Sequence, residues 1–323
     1  MTEKQKERYD YIIGALAEEI EITPRIREYV EKTVTKATFM DLRSDWALKH
    51  ILNDEEVLKM LVGDVLEENI ASLEGIHHLP NEIDRFFAGD KDATMDVVAV
   101  TKDGRRIIVE IQRQRKQTFP NRIHYYGASM LHAQLKSGDS YSKLRRVHVV
   151  CFLDYKMRHN NEQLEYRYSM REKTSSEEFS DLITIHLFEL PRMVKATMAG
   201  LSPMEGWLFL FKNLHNFDGE PEGMDPRFKK VTNLASFYHL PDTEQLQYIR
   251  AMISEEEKLD LLAGAYDQGV DDGFTRGEAK GREEGRAEGR EEGSNARSEE
   301  IARKMQAAGA DPAFIKEMTG IEL

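Results

Sequence analysis

Apolar residues near the start of the chain fall at three- and four-residue steps, at Tyr9, Ile12, Ile13, Leu16 and Ile20. That is the spacing of one helix face, and residues 1–38 read as a helical extension. The same period returns in 39-FMDLRSDWALKHILNDEEVLKMLVGDVL-66, where Trp46, Leu48, Ile51 and Leu52 precede Val57, Leu58, Leu61 and Leu66. The Asn53–Asp54 pair inside it is a point to break or re-cap the helix. After a loop around 75–92 the period shortens: 95-MDVVAVTKDGRRIIVEIQRQ-114 is dense in Val and Ile on both sides of an Asp-Gly pair, which predicts a hairpin. Phe119 to Lys136 is helix-like, ending near Gly138. The stretch 146-RVHVVCFLD-154 is almost continuously apolar, as a strand buried on both faces would be. Further strands are expected at 164–172 and 182–190, and helix again over 203–262.

This order predicts an α/β core over 39–215, a mixed sheet flanked by helices, followed by a helical region over 216–263. Then the pattern changes. Glycine recurs every fourth residue from Gly269 to Gly293, separated by charged triplets such as REE and RAE. Each glycine costs a helix about 1 kcal/mol relative to Ala, so propensity does not explain the period. Segment 264–297 reads either as a solvated spacer or as a helix whose smooth stripe admits a second helix, which would make the protein a homo-oligomer through its C-terminal tail. Residues 298–323 read as two short helices around Gly309, with Ser298 as the expected start of the first.

Charge changes the picture locally rather than globally. The total of 45 bases and 58 acids gives −13, which by itself argues against a nucleic-acid partner. About −8 of that sits between Glu255 and Glu300, however, where 15 acids meet 7 bases. Between Thr101 and Tyr125 the balance reverses: Lys102, Arg105, Arg106, Arg113, Arg115, Lys116 and Arg122 face only Asp103 and Glu110. The single cysteine, Cys151, allows no internal disulfide, and the charged first twenty residues contain no signal-peptide core. The longest apolar runs are too short to span a bilayer. A cytoplasmic protein with no membrane association is expected.

The hairpin carries an oddity, Asp96 on one arm and Glu110 on the other. A two-residue Asp-Gly loop would place Asp96 opposite Ile111. A three-residue Lys-Asp-Gly loop with Gly104 left-handed pairs Thr101 with Arg105 and sets Asp96 across from Glu110. The second register also gathers Val97, Ala99, Ile107, Val109 and Ile111 on one face, so the pattern favours it. Two carboxylates at cross-strand distance repel unless a cation joins them, and a hard divalent ion takes such oxygens. The alternative is a solvent-facing hairpin whose acids pair with Arg106 or Lys102.

Asp, a turn, then Glu-x-Gln at the end of the next strand resembles the PD-(D/E)xK nuclease superfamily. With 122-RIHYYGASMLHAQLKSGDSY-141, 45-DWALKHIL-52, the glycine-rich tail and the closing TGI phrase, the chain is similar to the Rpn family of recombination-promoting nucleases and transposases over about 39–323. The resemblance implies a restriction-endonuclease-like α/β core with a helical C-terminal tail, and a DNA endonuclease dependent on Mg2+ or Mn2+. It implies Asp96, Glu110 and Gln112 as catalytic residues, and Asp96, Glu110 and the Ile111 carbonyl as metal ligands. Asp45, Lys49, Arg122, Tyr126 and Gln134 would be accessory, with Arg105, Arg106, Arg113, Arg115 and Lys116 on DNA. Gln112 departs from the usual lysine, and an amide offers hydrogen bonds where lysine offers charge. Two other classes therefore stay open: a DNA-binding or regulatory module that does not cleave, and a scaffold assembled by the tail.

Overall fold

The computed structural model describes residues 1–79, 95–157, 161–254, 280–281, 285, 289, 293 and 296–322. They belong to two compact units, Met1–Glu256 and Glu257–Leu323. The first opens with α1 (Glu3–Ala17) and α2 (Pro24–Lys36), the second of which starts with Thr23 capping Ile26 N–H and Pro24 in the first turn. The next helical stretch is two helices, α3 (Asp45–Leu52) and α4 (Glu55–Leu66). Asp54 separates them by taking the Glu56 and Val57 amides on its side chain, so the polar pair re-caps the chain, as its composition predicts.

Six strands form one sheet: β1 (His77–His78), β2 (Val97–Val100), β3 (Arg106–Gln112), β4 (Val147–Leu153), β5 (Glu165–Arg171) and β6 (Glu178–Glu189). Their order is β1-β2-β3-β4-β6-β5; β3 with β4 and β4 with β6 are parallel and the other pairs antiparallel. The mixed sheet is the one expected, and central β4 is buried along its whole length. β6 begins at Glu178, four residues before its apolar run, because its polar first half pairs with edge strand β5.

Alternation divides the core. Val97, Ala99, Ile107, Val109, Ile111, Val150, Phe152 and Phe188 face one way, against α1–α4, α6 (Pro203–Asn213) and α7 (Lys229–Ala235). Val98, Ile108, Val149, Cys151 and Leu187 face the other way, against Phe119, Ile123, Tyr126 and Met130 of α5 (Phe119–His132). The N-terminal helices contribute Ile12, Leu16, Val30 and Val34 to the first cluster. The helical stretch 242–254 joins it too, through Ile249 and Tyr248, whose hydroxyl accepts Asp41 N–H at 2.9 Å. Helix over 203–262 is interrupted: 217–225 is non-helical, and positions from 255 onward lie outside the described residues until 280.

In the second unit, 296–307 is helical, Gly309 turns the chain at φ +81°, and Pro312–Thr319 forms the last helix. Ser298 lies inside the first of these helices and does not start it. Most of the four-residue glycine stretch, and with it the expected oligomer contact, lies outside the described residues. Among the described residues no helix is long and apolar enough to cross a membrane.

Helix α5 rests on the sheet through Gly127, where an added Cβ would lie 2.9 Å from Ile183 Cγ2 and 3.5 Å from Val149 Cγ2. Gly127→Ala should therefore lift α5 and destabilise the fold by about 1–3 kcal/mol, the usual cost of overpacking. Urea unfolding would measure it, and wild-type stability would show that the sheet yields.

Candidate active site

The hairpin turn sets the site. Gly104 has φ +87°, Thr101 N–H donates to Arg105 O at 2.9 Å, and Val97 pairs with Val109. This is the three-residue loop, and it carries Asp96 to a position across from Glu110. Where the backbone ladder stops, the two carboxylates continue it. Asp96 N–H donates to Glu110 Oε1 at 3.0 Å, and Ile111 N–H donates to Asp96 Oδ2 at 2.9 Å. Each acid thus binds the other strand's backbone, which fixes both side chains at the end of the β2–β3 pair.

Three elements converge there. Ser44 caps α3 through Ala47 N–H, placing Asp45 and Lys49 in its first turns, where they pair at 2.8 Å. The Asp45 carboxylate is close enough to Asp96 for its charge to raise that acid further. From α5, Arg122 Nη2 donates to Gln112 Oε1 and stands 4.0 Å from Glu110 Oε2. The guanidinium is flanked by the rings of Phe119 and Tyr126 at 6.0 and 5.9 Å. Gln112 donates to Glu110 Oε2 at 3.2 Å and to Ile111 O at 2.7 Å. Asp96, Glu110, Gln112, Ile111, Asp45, Lys49, Arg122 and Tyr126 are thus neighbours.

The electrostatics are those of crowded acids. Burial, then the charges of Glu110 and Asp45, hold the Asp96 carboxyl well above the usual carboxylate range. Burial pushes Glu110, only 2% exposed, up to about 7, against the pull of the Asp96 amide, Arg122 and Lys49. Burial and the Glu110 charge likewise push the Tyr126 phenol up to about 12.

The expected basic surface is divided. Arg105 pairs with Glu68 and, at 2.8 Å, with Asp103; Arg106 donates to Met130 O and Ala133 O. Both lie at the opposite end of β3 from Gln112, roughly 20 Å away at the usual strand rise. Arg113 approaches Asp41 at 4.0 Å. Arg115 and Lys116 are exposed in the loop directly after Gln112. Gln134 binds the backbone of Arg145 through both amide atoms and is not part of the site. Sequence reasoning missed two neighbours. Cys151 pairs in register with Glu110, and an Asp41–Arg43–Asp154 network at 2.8 and 3.0 Å sits against the end of β3, where Asp154 N–H donates to Gln112 O. The first is visible only in the β3–β4 register, and the second joins residues 111 positions apart.

The donor set fits a hard divalent cation. Buried carboxylate oxygens with a backbone carbonyl beside them suit magnesium or manganese, and positive charge would relieve the strain that raises both acids. Among the described residues, though, no three His, Cys, Asp or Glu side chains form a complete ligand cluster, so such an ion would keep several waters. The raised carboxyls also give a sign for stability. A folded-state value above the unfolded one stabilises fully below about pH 4, and the contribution is lost as pH rises through the folded value. In chelator, Asp96→Asn should therefore melt higher than wild type at pH 8 and close to wild type at pH 4, read by differential scanning calorimetry. A pH-independent difference would show that the acids are not strained.

A family model described as PD-(D/E)XK nuclease family transposase matches residues 42–261. The match covers both strands of the acidic hairpin, α3, α5 and the whole sheet. No curated protein and no solved structure matches the chain. The mixed sheet with its acidic strand ends and the extent of the match agree: the chain belongs to the PD-(D/E)XK nuclease family of transposases.

Proposed function

We propose that the protein is a divalent-metal-dependent DNA endonuclease that hydrolyses phosphodiester bonds, in the DNA-rearranging setting that the family description names. The observation that carries this reading is the interlocked Asp96–Glu110 pair beside the Ile111 carbonyl, two acids held close together and raised above the usual carboxylate range first of all by burial.

Asp96, Glu110 and the Ile111 carbonyl would hold Mg2+ or Mn2+, which when bound polarises a phosphoryl oxygen and lowers the pKa of a bound water. The protein's own groups do the rest. Asp45 adds a third carboxylate near Asp96, while Lys49 balances its charge. Gln112 and Arg122 stand on the side of Glu110 that faces α5. There the Gln112 amide orients by hydrogen bonding and the Arg122 guanidinium offsets charge developing on the phosphate. Arg115 and Lys116, exposed in the adjoining loop, supply backbone phosphate contacts. A second reading, a module that binds DNA without cutting it, is favoured by one feature, the amide of Gln112 where the superfamily usually has a lysine.

Purified protein should nick supercoiled plasmid with Mg2+ or Mn2+ and not in excess EDTA. Asp96→Ala and Glu110→Ala should each lose at least about 100-fold in rate, whereas Gln112→Ala should lose less, because one orienting hydrogen bond is worth less than a ligand. Nicking that survives Asp96→Ala would defeat the mechanism. DNA binding without cleavage under any metal would favour the second reading.

Binding should weaken linearly in log salt. Arg115→Ala with Lys116→Ala should reduce the slope by roughly 2, the effect of two phosphate contacts on duplex DNA. An unchanged slope in fluorescence anisotropy would place the DNA elsewhere.

A further inference from the structure

We propose that Gln112 is a latch on the cation site: its carboxamide nitrogen lies between Glu110 and the Ile111 carbonyl, and an arriving divalent ion displaces it, releasing Arg122. The proposal rests on the reading of Asp96 and Glu110 as cation ligands and adds how access to them is controlled.

The two N–H bonds of the Gln112 amide are both used, one on Glu110 Oε2 at 3.2 Å and one on Ile111 O at 2.7 Å. These are two of the oxygens that the site would offer to an ion. The amide's own oxygen points the other way and accepts from Arg122 Nη2. Its orientation is fixed by its partners. Rotating the amide by half a turn would set oxygen against the two acceptors and nitrogen against the guanidinium, leaving every contact repulsive. In this conformation Gln112 is therefore a donor to the acidic oxygens and cannot ligate an ion. The hydrogen-bonded amide and a metal compete for the same atoms.

Arg122 holds the latch shut. Its guanidinium lies over the Phe119 and Tyr126 rings, with Nη2 on Gln112. The hold is incomplete, since Arg122 Nε is buried and has no hydrogen-bond partner among the described residues. Once an ion displaces the amide, the guanidinium loses its acceptor on Gln112 and becomes available to a phosphate oxygen, which forms bidentate pairs with arginine. Cation arrival and phosphate capture are thereby linked through one side chain.

The test is Mn2+ binding to the full chain without DNA, followed by the electron paramagnetic resonance signal of free Mn2+. Asp96→Asn is the control for the site itself and should abolish the tight component. Gln112→Met, which keeps the side chain's length without its donors, and Gln112→Ala should both bind Mn2+ about tenfold more tightly than wild type, the equivalent of one net hydrogen bond. If both bind at wild-type affinity or more weakly while Asp96→Asn abolishes binding, the latch is wrong and the cation site stands. If no Mn2+ binding depends on Asp96, the cation-site reading falls and the latch falls with it.

Discussion

The register of β2 on β3 is the constraint from which the acidic site follows, and it is fixed at the far end of the hairpin. Gly104 takes a left-handed conformation that a residue with a side chain adopts at a cost, and this makes the loop three residues long. Slipping the pairing by one residue would turn every side chain of a strand to the opposite face. Val97, Ala99, Ile107, Val109 and Ile111 would then leave the main core, and Asp96 would lose Glu110. The apolar core and the acidic pair are therefore specified by one choice, and a hairpin that satisfies the first necessarily builds the second.

That coupling explains how the fold tolerates a strained site. Two buried acids held above their ordinary pKa range oppose folding near neutral pH. Around them, β4 is buried throughout, and α5 packs on one face of the sheet while six helices and the stretch 242–254 cover the other. The unfavourable term is local and the favourable one is spread over the whole sheet. Stability surrendered at a functional site and recovered elsewhere is a general pattern in enzymes. The reciprocal carboxylate-to-backbone bonds direct that strain into a defined geometry.

The basic residues show why composition alone misleads. Seven cations between residues 101 and 125 look like one phosphate-binding patch, but a strand carries its two ends far apart. Arg105 and Arg106 stabilise the turn end and the α5 end through Glu68, Asp103 and two carbonyls. Arg115 and Lys116, in the loop beyond Gln112, stay exposed at the other end of the strand. Local sequence density of charge is a poor guide to a surface when the charged run crosses a sheet.

What the sequence determined by itself is what local physics controls. Period-two and helical spacing gave the elements of the core, the Asp-Gly turn with its flanking apolar residues gave the register, and the register gave Asp96 across from Glu110. Asp54 as a helix cap was readable for the same reason, since a cap acts within three residues of itself. Tertiary structure decided everything that depends on contacts distant in sequence. It brought Asp45 of α3 close to Asp96, set Arg122 on Gln112, and placed Cys151 beside Glu110 through a parallel pairing of positions 41 residues apart. It also sent Gln134 to the backbone of Arg145 and folded the N-terminal helices into the main core. None of these contacts leaves a periodic signal, because long-range packing is chosen by the shape and charge of surfaces that exist only once the sheet has formed.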